Sequence, residues 1–162
     1  MLLNLINKNI VNNALFDNDD RVLLAVSGGK DSVCMLHLFS KLNYDFAVAH
    51  CNFDLRGNES DLDQKFVEEL ADNYNVPFFT VKFDTLKYSK ENKISIQMAA
   101  RDLRYAWFNK IADEFNYSKI ATAHHQDDNI ETLLIKKSRK SSLGALTGIP
   151  VKIGKLVRPL LD

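Results

Sequence analysis

Apolar positions along this chain follow two rhythms. Four short runs are apolar almost without a break: "RVLLAV" (21–26), "DFAVAH" (45–50), "PFFTVKF" (77–83) and "SKIATA" (118–123). Runs of that length and composition predict strands. Between them, apolar residues recur three and four positions apart, which predicts amphipathic helices. These are "NLINKNIVNNALF" (4–16), "SVCMLHLFSKL" (32–42), "ESDLDQKFVEELADNY" (59–74), "SIQMAARDLRYAWFNKIADEF" (95–115) and "DDNIETLLIKKS" (127–138). The third opens on Glu59, Ser60 and Asp61, residue types that favour a helix start. A fifth strand is expected in "KLVRPLL" (155–161), with Pro159 near its end.

Strands that alternate with helices predict an α/β fold. The expected form is a Rossmann-like open parallel sheet of about five strands with helices on both faces. A run such as "VLLAV" (22–26) is apolar at every position, as a strand covered on both sides must be. The 162 residues suit one domain with a real core, and no repeat or low-complexity linker divides them. No apolar run approaches the ~18 residues of a membrane span. The start, "MLLNLINKNI", lacks the continuous apolar core of a signal peptide. A cytoplasmic protein with no membrane partner is the expectation. Cys34 and Cys51 match neither a C-x-x-C pair nor a zinc pattern. Net charge is zero, yet residues 136–162 hold seven basic side chains and one acid, Asp162. That basic end is either a phosphate-facing surface or a solvated face.

Ligands of open α/β sheets bind beyond the carboxyl ends of the strands. There the sequence places Ser27-Gly28-Gly29-Lys30-Asp31-Ser32, His50-Cys51-Asn52 and His124-His125-Gln126-Asp127-Asp128. Two glycines between a buried strand and a helix free successive N–H groups to face one anion, and the helix adds its positive end. Ser27 and Ser32 can donate hydroxyls to phosphate oxygens. Asp31 repels bare phosphate, so it fits either a Mg²⁺ bridge or a helix-capping role. Ser and Gly are also ordinary turn residues. The full S-G-G-x-D-S, set between strand and helix, favours the anion site.

That hexapeptide resembles the pyrophosphate loop of the N-type ATP pyrophosphatases, which cleave ATP between the α and β phosphates. Three further stretches resemble the tRNA(Ile)-lysidine synthetases within that superfamily. They are "HCNFDLRGNESDLDQKFV" (50–67), "MAARDLRYAWF" (98–108) and "ATAHHQDDNIETLLIKKSRKSSLGALTGIP" (121–150). The four motifs lie in matching order over roughly residues 20–160. The resemblance implies that ATP adenylates O2 of the wobble cytidine of a tRNA(Ile) with a CAU anticodon. The ε-amine of free L-lysine then attacks C2, and AMP leaves. ATP and Mg²⁺ are the implied cofactors, tRNA(Ile) and lysine the partners, and a homodimer stays open.

On that resemblance, Ser27, Gly28, Gly29, Lys30, Asp31, Ser32, His50 and Arg101 are expected to bind ATP, and Asp31 and Asp127 to hold metal. Asp31, His125 and Asp128 are the expected catalytic residues, although His124 could equally be the active histidine. Asp128, Glu131 and Arg104 are assigned to lysine; acids at a helix start also complement its dipole. Arg101 and Arg104 lie i,i+3 and could clamp an anion or form a solvated face. Arg56, Arg139 and Lys140 are assigned to tRNA. His37 and Trp107 are expected to be structural.

Two features depart from the family pattern. Where the family carries Arg-Gly-Ser/Thr-Gly, this chain reads Arg139-Lys140-Ser141-Ser142. The family also carries tRNA-binding domains after the catalytic one, so residues 1–162 are expected to be an N-terminal ATP-pyrophosphatase domain without them. Two other functions are compatible: another adenylating enzyme that thiolates RNA or amidates a small molecule, and an ATP-binding fragment inactive alone.

Overall fold

The computed structural model describes residues 1–125 and 149–161. In chain order the elements are α1 (Leu2–Asn12), β1 (Arg21–Ala25), α2 (Lys30–Lys41), β2 (Asp45–Asn52), α3 (Asn58–Asn73), β3 (Phe78–Lys82), α4 (Thr85–Asn92), α5 (Ile96–Glu114), β4 (Lys119–Ala121), β5 (Lys152–Ile153) and β6 (Leu156–Val157). They build one six-stranded sheet in the order β3-β2-β1-β4-β6-β5. All neighbours are parallel except the β5–β6 pair.

The chain steps outward from β1 to β2 to β3 and then returns to the other side of β1 with β4. The order reverses between β1 and β4, and the two connections leave a crevice at their carboxyl ends. The sheet is α/β and mostly parallel, as the alternating pattern predicts.

Side chains alternate across the sheet. Val22, Leu24 and Val26, with Phe46 and Val48, pack against Ile6 and Ile10 of α1, Met35, Leu36 and Phe39 of α2, and Val67 and Ala71 of α3. Leu23, Ala47, Ala49 and Ile120 face the other way, against Phe108, Ile111 and Ala112 of α5. Among the described residues helices therefore cover both faces, with α1, α2 and α3 on one side and α5 on the other.

Three elements differ from the sequence pattern. First, α4 has no apolar stripe; its Leu86 is exposed. Caps define it: the Asp84 carboxylate accepts the Lys87 amide at 3.0 Å, and Lys93 closes it in a left-handed turn (φ +52). Second, the stretch 155–161 supplies only two sheet residues, and Arg158 turns away through its carbonyl, which accepts the Leu161 amide. Third, Gly154 (φ +55) folds Lys152–Ile153 back against those two as a short antiparallel edge. His37 is exposed on α2, where Nδ1 lies 2.9 Å from the Tyr74 hydroxyl. Trp107 packs partly buried beside Phe108.

Leu24 is fully buried in the central strand. Leu24→Ala is expected to lower unfolding free energy by about 2–5 kcal/mol, read from urea denaturation. A loss below about 1 kcal/mol would contradict this view of the core.

Candidate functional site

Small side chains make the crevice. Ala25, the last residue of β1, pairs in register with Ala49 of β2. With Ala123 after β4 they floor a cavity of ≈ 340 Å³ whose opposite wall is Phe108 and Arg104 of α5. Ser27, Gly29, Asp31 and Ser32 form its rim, and Thr122 and His124 its β4 side. A second cavity of ≈ 290 Å³ shares Ser27, Cys51, Phe53 and Arg104 with the first and extends to His50, Arg56 and Asp63. The expected loop, both post-strand segments and an α5 arginine thus converge on one region.

Gly28 has φ +94, a conformation that side-chain-bearing residues rarely adopt. Gly29 has ordinary angles (φ −73, ψ 158) and is the N-cap of α2. The two glycines do different jobs: Gly28 makes the turn, and Gly29 keeps the backbone open to approach. Ser32 donates its hydroxyl to the Gly29 carbonyl (2.9 Å) and accepts the Ser27 amide (3.2 Å). With that proton committed, the Ser27 hydroxyl donates to Ser32 Oγ at 3.2 Å. Ser27 Oγ also accepts the Gly29 amide, at a long 3.3 Å. The amides of Gly28, Lys30 and Asp31 have no acceptor among the described residues. Several N–H groups and the α2 dipole therefore favour an anion here, and the Ser27 oxygen is the weak occupant it would displace. Lys30 and Asp31 also line a groove on the α1 side, with His125.

The two histidines after β4 have different surroundings. His125 Nε2 lies 3.3 Å from the Asp31 carboxylate. His124 Nδ1 lies 2.9 Å from the Thr122 hydroxyl and lines the main cavity. His50 is buried and its Nδ1–H donates to the Val26 carbonyl at 2.8 Å, which ties β2 to the start of the loop. Burial lowers its pKa from 6.5, against smaller opposing pulls from that carbonyl and Asp63. Burial also pushes the Cys51 thiol up to about 12, with Arg104 pulling the other way. At neutral pH Cys51 is therefore a neutral, weakly polar part of the floor.

The arginines separate as well. Arg104 lies over Phe53, 5.2 Å from the ring centroid, and lines both cavities. Arg101 lies over Tyr105 at 5.0 Å and lines neither. Arg56 lines the second cavity but is paired with Asp63 (2.6 Å) and more loosely with Glu59 (3.7 Å). Its loop is braced by Asn52, which donates to Asp61 and Gln64, and by Lys82, which pairs with Asp54 and Asp61.

Asp127, Asp128, Glu131, Arg139 and Lys140 lie outside the described residues. Of the basic end, the described cations have partners within the chain: the exposed Lys152 has the Ala14 carbonyl, the exposed Lys155 the Asp113 carboxylate, and the buried Arg158 the Pro150 carbonyl. Among the described residues no cluster of three or more His, Cys, Asp or Glu could hold a metal ion. No helix among them is long and apolar enough to cross a membrane. Sequence reasoning missed Phe53 and Thr122, and gave Cys51 no role although it lay in the segment after the second strand. Their one signal was position, immediately at or beyond the carboxyl ends of β2 and β4.

The family model ATP_bind_3, a PP-loop domain, matches residues 3–162. Curated relatives include a tRNA(Ile)-lysidine synthase from Bacteroides thetaiotaomicron, 47% identical over 91% of this chain and 34% of its own length. That of Porphyromonas gingivalis strain W83 is 46% identical over 99% of this chain and 36% of its own. The chain thus spans about a third of the length of these relatives. Among solved structures, the U34-tRNA thiolase NcsA from Methanococcus maripaludis superposes with a TM-score of 0.74 at 20% identity. It covers 98% of this chain and 56% of the thiolase. An NMN synthetase from Francisella tularensis follows at 0.61 and 14% identity, covering 98% and 62%. At such identities these two establish the shared fold.

The low His50 pKa makes stability depend on pH. Below 6.5 the unfolded chain takes up a proton that native His50 resists, so stability falls as pH drops from 6.5 through the lower native value. Urea midpoints at about pH 7.5 and about pH 5.5 should differ more in the wild type than in His50→Gln. Equal differences would contradict the assignment.

Proposed function

The chain belongs to the PP-loop domain family, and from that we propose that it is the adenylating catalytic domain of a tRNA(Ile)-lysidine synthetase. The reaction is lysine ligation to C2 of the wobble cytidine in a tRNA(Ile) with a CAU anticodon. Its identity to curated lysidine synthases over nearly its whole length carries the reading. The loop, with amides that have no acceptor among the described residues, lines a cavity of ≈ 340 Å³, which agrees with it. The cytoplasm, where ATP and tRNA meet, is the proposed location.

ATP enters the crevice with its phosphates over the Gly28–Asp31 amides and its base against Phe53 and Cys51. Ser27, Gly28, Gly29 and Ser32 hold the leaving diphosphate, and Arg104 offsets charge in the apolar cavity, where such pairing is strongest. The cytidine O2 attacks the α-phosphorus, the bond to the β-phosphate oxygen breaks, and pyrophosphate leaves. The lysine ε-amine then attacks C2 and AMP departs with the O2 oxygen. The half-exposed carboxylate of Asp31, which would repel a phosphate bound in the loop, suits Mg²⁺. Asp31, with Asp127 as a proposed further ligand, would hold Mg²⁺, which would supply charge neutralisation. Asp128 and Glu131 are the proposed partners of the lysine ammonium, Arg104 stays a proposed lysine contact as well, and His125, beside Asp31, is proposed to move a proton. Lys30, His50 and Arg101 stay as proposed ATP contacts at the margins. Arg56, Arg139 and Lys140 stay as proposed tRNA contacts; Arg56 must leave Asp63 to act.

The direct test is incorporation of labelled lysine into a tRNA(Ile) transcript bearing CAU. ATP-dependent incorporation is expected. If ammonia or a sulfur donor replaces lysine in driving AMP release, the assignment fails in favour of another adenylating enzyme. In the same assay Asp31→Ala should lower AMP release roughly a hundredfold or more while leaving the melting temperature near that of the wild type. Wild-type turnover in that variant would remove Asp31 from the mechanism.

A further inference from the structure

Arg158 follows the last residue of β6, a strand parallel to β4, so it stands on the ligand edge of the sheet. The chemistry above makes no use of it. It is 4% exposed, and burying a cation is costly unless it is paired. Nη1 donates to the Pro150 carbonyl, and Nε is buried with no hydrogen-bond partner. The guanidinium also donates to the Tyr105 hydroxyl, and Arg101 is close enough to repel it. Burial lowers its pKa, Tyr105 pulls the other way, and Arg101 adds to the lowering. Among the described residues no ion pair joins Arg101 or Arg158 to a carboxylate.

Tyr105 links the two cations. Its ring packs edge-on against buried Phe108, with centroids 6.5 Å apart. The Arg101 guanidinium, one helical turn back on α5, lies over that ring at 5.0 Å. The ring is thus held at its hydroxyl by Arg158 and carries Arg101. Arg104 rests on Phe53 after β2 instead. Helix α5 therefore seats one guanidinium toward β2 and one toward β6, with β1 and β4 between them in the sheet. Arg56 differs, because Asp63 and Glu59 neutralise it. A guanidinium seated on a ring keeps its full charge and its N–H edge for an anion. An exposed arginine loses side-chain freedom when it binds, and a platform that orders it beforehand reduces that cost.

We propose that Arg158 is a positioning residue that, through Tyr105, holds the Arg101 guanidinium toward the β6 side of the crevice as a pre-ordered arm for a phosphate of the nucleotide. Its own charge adds to the positive potential there. The choice of ligand rests on the crevice being the ATP site. The positioning does not.

Ring-current shifts of the Arg101 δ-methylene in ¹H–¹³C spectra report its seat on Tyr105, with the signal assigned by its absence from Arg101→Gln. Tyr105→Phe and Arg158→Met both keep a ring, and both should move the signal toward the exposed-arginine value. Should Arg158→Met fail to fold, Tyr105→Phe breaks the same link from its other end. In calorimetry with Mg²⁺ and a non-hydrolysable ATP analogue, Arg101→Gln should weaken binding about tenfold and Tyr105→Phe about threefold. Tyr105→Phe added to Arg101→Gln should weaken it no further, which a general loss of packing would not give. An Arg101 signal unmoved in both ring-keeping variants, or additive losses in the double variant, overturns the positioning role. Full analogue binding by Arg101→Gln, with any loss confined to lysine or tRNA affinity, overturns the phosphate as ligand. Absence of lysine-dependent AMP release in the wild type counts against the proposed reaction instead, and the spectra and the binding cycle still decide the arm.

Discussion

A backbone angle of +94° at Gly28 turns the chain from the end of a buried strand into the first turn of α2. The rest of the site depends on that turn. It leaves the amides of Gly28, Lys30 and Asp31 without acceptors among the described residues, at the positive end of a helix, an arrangement that favours an anion. A Cβ at Gly28 would meet Val67 at an ordinary 3.5 Å, so dihedral preference, with no steric clash, selects glycine. The His50 to Val26 hydrogen bond fixes the strand end from the neighbouring strand. The cooperation between β1 and β2 that shapes the sheet thereby also aims the loop.

The space above the loop has a separate origin. Ala25 at the end of β1, Ala49 beside it in β2 and Ala123 beyond β4 withhold side-chain volume from the cavity, which Phe108 also lines. Burial then sets the chemistry inside. It keeps Cys51 a neutral thiol and His50 a neutral imidazole, so Arg104 is the cation that the described residues bring to both cavities. One guanidinium in an apolar cleft acts on phosphate far more strongly than the same group in water.

Much of this was legible in the sequence, for identifiable reasons. Strands covered on both faces must be apolar throughout, so β1 and β2 announce themselves. Ser27 to Ser32 could be placed at a ligand-bearing edge before any coordinates, because strand-to-helix junctions of a parallel sheet fall there. Helix α4 was hidden because Asp84 and Lys93 define it, and periodicity does not. Strand β5 was hidden because two residues carry no pattern and Gly154 alone makes the turn. At the site, helical spacing put Arg101 and Arg104 on one stripe, yet only Arg104 lies above Phe53. That choice depends on how α5 sits across the sheet, which no local pattern records. The His124 and His125 surroundings diverge for the same reason: Thr122 is two residues away in sequence, whereas Asp31 belongs to another element.

The grip of the loop amides on the diphosphate can be seen directly in a crystal structure with Mg²⁺ and a non-hydrolysable ATP analogue. The expected result has the β- and γ-phosphates within hydrogen-bond distance of the Gly28 to Asp31 amides and the Ser27 hydroxyl displaced from the Gly29 N–H. An analogue bound elsewhere, with the Ser27 to Gly29 bond intact, would contradict it.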